Sequence, residues 1–225
     1  MRRLRSTDGT PAHLRAAQYH VAMCQDGPPL MSVLGGEMGP LIALLLAKAR
    51  AVEDAKMVAV NTQAAVDKAE IQVENTIRDL DAAAASADRG DAALNAQRGI
   101  FPDGFGADIE PEGEDQVAAL VSLWVRAAPY KNHALIAPVL AKLSADEKHL
   151  RDMLKADEDQ NSLVDMLFEE EKAARADIRV QIESAYGRLR THFKLRPALA
   201  ERYFLNEGGG RKPKNVDAPG KEPDK

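Results

Sequence analysis

The sequence is poor in aromatic residues. Aromatic side chains make up only 4% of the 225 residues while hydrophobic residues make up 45%, so the hydrophobic fraction is mostly alanine, leucine and valine. A β-sandwich favours aromatic and β-branched residues, whereas small and straight-chain apolar residues favour closely packed helices. We therefore predict an all-α protein, and the chain is long enough to bury a core.

Cysteine is nearly absent as well, since Cys24 is the single one in the sequence. One thiol cannot form a disulfide within the chain or supply a cysteine-based zinc site, and such usage is typical of a reducing compartment. We interpret Cys24 as a small buried hydrophobic side chain. The expected location is the cytoplasm, or a particle assembled in the cytoplasm.

A strong charge and a long uninterrupted apolar run are also missing. The formal net charge is −5, which argues against a general nucleic-acid-binding protein. The N-terminal arginines are not followed by an apolar run, so we expect no signal peptide. Glycines, Glu37 and Pro40 interrupt the apolar segment 29–47, and its unbroken part, 41–47, is far shorter than the roughly 20 residues that span a bilayer. Membrane contact is therefore an alternative that the sequence does not favour.

Proline and glycine also mark the organisation of the first half of the chain. We predict an N-terminal helix and a hinge in residues 1–39, with the hinge at Gly35–Gly39. Residues 40–89 contain nothing that breaks a helix, and Pro40 is suited to a first helical turn. A helix of that length is typical of coiled coils and long helical hairpins.

The second half begins with an acidic loop rich in glycine and proline, predicted at residues 90–115. Residues 116–205 are predicted to form a helical bundle region, in which Ser144 and Glu147 fit a capping box that opens a new helix. The last long helix is expected at about 162–196. Residues 206–225 have the composition of a linker, so we expect a Gly/Pro/Lys tail that is disordered or held by a partner.

The long helix carries a seven-residue repeat of small side chains, which we call the seam. Its two registers consist of Val52, Ala55, Ala59, Thr62, Val66, Ala69, Val73, Thr76, Leu80 and Ala83. Heptad spacing keeps one face of a helix against a partner helix. Small residues bury little area each, so we expect the seam to pack against the bulkier last long helix in an elongated antiparallel bundle, formed within one chain or between subunits.

A second arrangement of the long helix remains open. In it the seam faces a second copy of the chain, and Met57, Ala64 and Ile71 face the chain's own core. The acidic loop offers a separate candidate docking site at Ile100, Phe101 and Phe105. These apolar residues either anchor the loop to the body of the protein or bind elsewhere.

The sequence carries no complete signature of a catalytic, cofactor-binding or metal site. The glycines before residue 40 lack the preceding strand and the following Gly-Lys-Ser/Thr of a phosphate-binding loop. A di-metal helical bundle needs two Glu-x-x-His pairs and two further glutamates, whereas this chain offers only Asp146-x-x-His149. We therefore assign no catalytic residue and expect no cofactor.

These observations favour a non-enzymatic helical structural or adaptor protein that self-associates or docks in a larger protein assembly. Its expected partners are proteins, in a homo-oligomer or a larger assembly, and no small-molecule substrate can be identified. One alternative is a membrane-active helical protein that uses the apolar segment 40–47. A second alternative is a metal-binding enzyme built on a helical bundle.

Overall fold

The structure, a computed structural model, describes residues 4–194 and 196–205, and the tail predicted at 206–225 lies outside them. Every regular element in those residues is helical, so the predicted all-α class is confirmed. The elements are α1 (Thr10–Cys24), α2 (Pro29–Gly90), α3 (Ala96–Ile100), α4 (Gly106–Ile109), α5 (Gly113–Ala127), a 3₁₀ turn (Ala128–Tyr130), α6 (Ala137–His192) and α7 (Pro197–Glu201).

Helix α2 starts earlier than the sequence predicted. It begins at Pro29 rather than Pro40, and Pro40 lies inside it. The hinge predicted at Gly35–Gly39 is therefore wrong. Met31, Leu34, Met38 and Leu45 stand at helical spacing on both sides of Pro40, and all four are buried in one cluster. Their burial offsets the hydrogen bond that the proline removes and the weak helix propensity of glycine.

Helix α6 is likewise longer than predicted. It runs without interruption from Ala137 to His192, so Ser144 and Glu147 lie inside it and do not cap a new helix. The Glu147 carboxylate instead accepts hydrogen bonds from Trp124 and Arg151. A Ser-x-x-Glu pattern indicates a helix start only where the preceding residues leave the helical conformation.

The chain divides into two compact units, and unit 1 is taken from Met1–Arg50 and Phe168–Lys225. In it the first part of α2 packs against the last part of α6 in antiparallel directions. Lys48 pairs with Glu170 at 2.6 Å, and Glu37 pairs with Arg188 at 2.7 Å. The buried core of unit 1 consists of Ala17, Cys24, Met31, Leu34, Met38, Leu45, Ala174, Ile178, Ile182, Ala185, Leu189, Ala200 and Phe204.

Unit 2 comprises Ala51–Leu167. The rest of α2 packs there against the first part of α6, again in antiparallel directions, and α5 belongs to the same core. Thr62 donates a hydrogen bond to Asp157, and Thr76 donates one to Asp146. The predicted packing of the long helix against a later helix is therefore confirmed. The buried core of unit 2 consists of Val66, Ala69, Val73, Ile77, Leu80, Ala84, Ala87, Ala96, Ile100, Phe101, Val117, Leu120, Leu123, Ala127, Ile136, Leu140, Leu143 and Leu150.

The segment predicted as an unstructured acidic loop is ordered around two short helices, α3 and α4. The carboxylate of Asp88 accepts hydrogen bonds from the backbone N–H groups of Ala96 and Gln97, and it thereby caps the start of α3. Arg126 of α5 binds the carbonyl oxygen of Ile100 at 2.7 Å and forms an ion pair with Asp108, which is buried. Side chains from outside the segment satisfy its polar groups, and this allows the segment to fold against the core.

Candidate interaction surface

The seam of α2 lies on the buried side of the helix. Seven of its ten residues are buried, and the other three, Ala59, Thr62 and Ala83, are partly buried. The partner of the seam is α6 of the same chain, which presents Asp146, Asp157 and Gln160 to it. The seam is therefore internal packing, and it is not a free surface.

Three polar contacts set the register between the seam and α6. The hydroxyls of Thr62 and Thr76 each donate to an aspartate at 2.6 Å. The side-chain amide of Gln160 donates to the carbonyl oxygen of Ala55 at 2.9 Å. Small seam residues let the two helices approach closely, and the threonine hydroxyls then donate hydrogen bonds to carboxylates of α6.

The alternative arrangement, in which Met57, Ala64 and Ile71 face the chain's own core, is wrong. Met57 is 70% exposed and Ile71 is 55% exposed. Both lie on the face of α2 opposite to the seam, because the buried seam occupies the other side of the same helix. Heptad spacing is present on both faces, and the face that packs in the core is the seam, whose threonines also hydrogen-bond to α6.

We call the exposed face of α2 in unit 2 the outer stripe, which consists of Met57, Val60, Ala64 and Ile71. Val60 is 70% exposed, and Ala64 is exposed as well. The spacing from Met57 to Val60, Ala64 and Ile71 is three, seven and fourteen residues, which places all four on one side of a helix. Apolar residues aligned in this way on a water-facing helix are typical of a protein-binding surface.

Charged residues flank the outer stripe and pair along the helix. Lys56 binds Glu53 at 2.9 Å, and Arg78 binds Glu74 at 3.1 Å. Such pairs one helical turn apart are exposed and contribute little to stability. These ion pairs do not cover the apolar residues of the outer stripe, which remain exposed to water. The arrangement resembles a coiled-coil interface, in which charged residues flank the apolar positions.

The candidate docking residues of the acidic segment are not available for docking. Ile100 is fully buried and Phe101 is 4% exposed, both in the core of unit 2. Phe105 is partly buried and packs against the same core. The sequence allowed these residues either to anchor the segment or to bind a partner. In the structure they anchor the segment to the core of unit 2.

A shallow cleft of about 420 Å³ lies beside Trp124 in unit 2. The indole N–H of Trp124 donates to Glu147 at 2.6 Å, and Arg151 binds the other oxygen of the same carboxylate at 2.7 Å. Lys131 and Ser144 also line the cleft. The carboxylate of Glu147 in this cleft is thus hydrogen-bonded within the protein.

Unit 1 buries two histidines on the inner face of α1. His13 and His20 are both 0% exposed, and Cys24 is 2% exposed on the same face. Nδ1 of His13 lies 3.0 Å from the carbonyl oxygen of Gly9, and Nδ1 of His20 lies 3.1 Å from that of Tyr203. Burial lowers the pKa of both histidines, and it raises the pKa of the Cys24 thiol.

The residues considered for a di-metal site have other roles. Asp146 accepts from Thr76, Glu170 pairs with Lys48, and Glu171 accepts from the hydroxyl of Thr10. His149 is exposed. Among residues 4–194 and 196–205, no group of three or more histidine, cysteine, aspartate or glutamate side chains is arranged to hold a metal ion.

One helix of the described chain, α2, is long and apolar enough to cross a membrane by length and composition. It contains an 18-residue window with a mean hydropathy of 1.8, of which 22% is buried. Val33, Leu44 and Leu46 near the beginning of α2 are 50%, 41% and 37% exposed. The glycines and Pro40 do not interrupt this helix, so they no longer argue against membrane contact.

Comparisons of the chain with models of protein families, with curated proteins and with solved structures find no match. The function therefore has to be argued from the surfaces and buried groups of the chain itself.

Proposed function

We propose that this chain is a non-enzymatic helical structural or adaptor protein that self-associates or docks in a larger protein assembly. The observation that supports the proposal is the outer stripe, in which Met57 and Val60 are each 70% exposed and Ile71 is 55% exposed. Burying such a stripe against another helix removes apolar surface from water, at about 25 cal/mol for each Å².

The outer stripe suits a helical partner better than a small ligand. Its residues recur with the spacing of a coiled-coil seam, and Ala64 in the middle is small enough to let a second helix approach. The flanking Glu53–Lys56 and Glu74–Arg78 pairs carry both signs of charge, as the edges of helical interfaces do. The stripe is a short one, so the expected association is reversible and depends on concentration.

The decisive measurement is the molar mass of the purified chain by light scattering, from low to high micromolar concentration. We expect the wild-type protein to form dimers or larger species as the concentration rises. The double variant Val60→Lys/Ile71→Lys places two charges on the stripe, and it should remain monomeric over the same range. Both positions are exposed, so the substitutions should leave the helix content unchanged.

A matched control is Val125→Lys on α5. Val125 is 71% exposed, belongs to the same unit and lies outside the outer stripe. This variant should associate as the wild type does. A wild-type protein that is strictly monomeric at high micromolar concentration would argue against self-association, and equal association of all three proteins would assign the contact to another surface.

The proposed location is the cytoplasm, or a particle assembled there. The single cysteine supports a reducing compartment, because the chain has no second thiol with which to form an internal disulfide. Burial of Cys24 keeps its thiol away from partner chains.

A second candidate function is membrane activity, for which the support is the apolar window of α2 with only 22% of it buried. In this candidate function, the segment 40–47 enters a bilayer. The test is flotation of the protein with phosphatidylcholine vesicles and leakage of a dye from them, at neutral and acidic pH. Leu44→Lys/Leu46→Lys should abolish both effects, whereas Val180→Lys, at another exposed apolar position of unit 1, should not. No binding and no leakage at any pH would exclude this candidate.

A further inference from the structure

The inner face of α1 is unusual because three of its four buried residues carry an imidazole or a thiol. His13, Ala17, His20 and Cys24 follow one another at spacings of four, three and four residues, and all four are buried. This face lies against the beginning of α2, where a methyl group added to Gly35 would come within 3.1 Å of the Cβ of Cys24. The close approach leaves no room for water between α1 and α2 at that point.

The surroundings of His13 favour a neutral ring because burial lowers its pKa. Its Nδ1 faces the Gly9 carbonyl oxygen, which only accepts hydrogen bonds, so Nδ1 carries the proton. Its Nε2 therefore presents a lone pair, which accepts from the guanidinium of Arg179 at 3.5 Å. A second proton on Nε2 would point at that guanidinium, and Arg175 adds a further positive charge nearby.

Acidic groups also lie near the start of α1, and one of them, Asp8, opposes this effect in part. Asp8, just before α1, raises the affinity of the ring for a proton. Glu171 of α6 is buried and accepts a hydrogen bond from Thr10 at the start of α1. Burial of the ring lowers its pKa and outweighs both the hydrogen bond to the Gly9 carbonyl and the attraction of Asp8, which raise it, and the two arginines act in the same direction as burial.

His20 is held neutral in a different way. Its Nδ1 donates to the Tyr203 carbonyl oxygen at 3.1 Å, so its Nε2 carries a lone pair that faces the Cys24 thiol at 3.7 Å. One face of the ring stacks on Phe204, with ring centroids 4.8 Å apart. Tyr186 of α6 packs edge-on against the same phenyl ring, and its hydroxyl donates a hydrogen bond to the Glu201 carboxylate at 3.5 Å. Burial lowers the pKa of this imidazole, and the hydrogen bond to the Tyr203 carbonyl opposes that effect only in part, because neither the thiol nor the phenyl ring carries a negative charge.

We propose that α1 is an acid-sensitive cover of unit 1, which detaches from the beginning of α2 when His13 and His20 take up protons below neutral pH. Detachment exposes apolar side chains of α2 from the unit 1 core, including Met31, Leu34 and Met38, which are otherwise at most 1% exposed. The acid-dependent detachment of α1 does not involve the outer stripe, and it does not depend on the proposed self-association.

The direction of the pH effect follows from linkage. Folding lowers the pKa of both histidines, so the closed state binds fewer protons than the open state between the ordinary histidine pKa of about 6.5 and the lowered values. The closed state is fully favoured above about pH 6.5 and loses its advantage as the pH falls through this range, with no further loss once the pH is below the lowered pKa values. Each histidine raises the opening constant by at most about tenfold for each pH unit, and the two together by about a hundredfold.

The test is hydrogen–deuterium exchange of the full chain between pH 7.5 and pH 5, corrected for the pH dependence of intrinsic exchange. Peptides from α1 should lose protection steeply below about pH 6.5, by tenfold to a hundredfold for each pH unit. Peptides from α5, which belongs to unit 2, should keep theirs. A flat profile for α1, or an equal loss in α5, would overturn the proposal.

Variants assign the effect to the two rings. The double variant His13→Gln/His20→Gln should give an α1 profile that no longer depends on pH, whereas His149→Gln, at an exposed histidine, should behave as the wild type does. An unchanged steep profile in the double variant would overturn the assignment. If the double variant does not fold, NMR titration of the wild-type imidazoles decides, because ordinary pKa values for both His13 and His20 would contradict the proposal.

Discussion

The hydroxyl of Thr76 on α2 donates a hydrogen bond to a carboxylate oxygen of Asp146 on α6 at 2.6 Å. The two residues are 70 positions apart in the sequence, and Thr76 is fully buried. A buried hydroxyl that meets a carboxylate forms a strong, directional contact. This contact distinguishes the seam from the outer stripe, because the apolar side chains of the stripe have no such polar contact with α6.

The first prediction concerns this contact. Thr76→Val keeps the shape of the side chain but leaves the Asp146 carboxylate without its donor, so the free energy of unfolding should fall by about 1–3 kcal/mol. Urea denaturation followed by circular dichroism measures the change. The control is Thr191→Val, an exposed position whose hydroxyl binds only the Gly187 carbonyl of its own helix, and it should change stability by less than about 0.5 kcal/mol. Equal effects at both positions would contradict the role of the interhelical bond.

The second prediction concerns the glycines before Pro40. Among the residues that the structure describes, no atom outside the local helix backbone lies within 4 Å of a methyl group added at Gly36 or Gly39. Gly36→Ala and Gly39→Ala should each stabilise the protein by about 0.5–1 kcal/mol in urea denaturation, because alanine favours the helix and its methyl group meets no neighbour.

The matched control for the glycines is Gly35→Leu. A side chain there would meet Cys24 across the contact between α1 and α2, so the substitution should destabilise the protein by about 1–3 kcal/mol. If Gly36→Ala and Gly39→Ala instead leave stability unchanged, the segment is a hinge in solution and not part of a continuous helix.

The third prediction separates the core role of the acidic segment from a docking role. Phe101 is 4% exposed in the core of unit 2, so Phe101→Ala should destabilise the protein by about 3–5 kcal/mol in urea denaturation. Val121→Ala, at a position that is 54% exposed, should change stability by less than about 0.5 kcal/mol. A Phe101→Ala protein with wild-type stability would mean that the side chain is free for a partner.

The fourth prediction concerns Gln116, a fully buried residue of α5. Neither polar atom of its side-chain amide has a hydrogen-bond partner among the described residues. Gln116→Met keeps the approximate length of the side chain and removes the unsatisfied groups, so thermal and urea denaturation should show stabilisation by about 1 kcal/mol. Gln72→Met, at an exposed position of α2, should have little effect. Clear destabilisation by Gln116→Met would show that the amide binds a group, such as water, that stabilises the fold.

Part of the fold was predictable because the signals are local. The seam of α2 repeats every seven residues without a glycine or a proline, and a helix that packs on another helix follows from that repeat. The same reasoning failed at Gly35–Gly39 and at Ser144. There, local preferences for a hinge and for a helix start competed with buried side chains on both sides, such as Leu34 with Leu45 and Leu140 with Leu150, and packing prevailed.

The candidate site was harder to predict. Met57, Ala64 and Ile71 have the same seven-residue spacing as the seam, so periodicity alone could not tell which face of α2 is buried. The signal that separates the faces is polar, since Thr62 and Thr76 reach aspartates on α6. The histidines of α1 have helical spacing in the sequence, but only their surroundings reveal that they are buried and neutral.

The sequence by itself determined that the chain is helical and that α2 has a face suited to another helix, because helix formation and heptad spacing depend on residues within a few turns of one another. Only the tertiary structure decided that the seam is internal, that Ile100 and Phe101 are core residues, and that the outer stripe faces water. Those outcomes depend on contacts such as Thr62 with Asp157, 95 residues apart, whose free energies no local pattern contains.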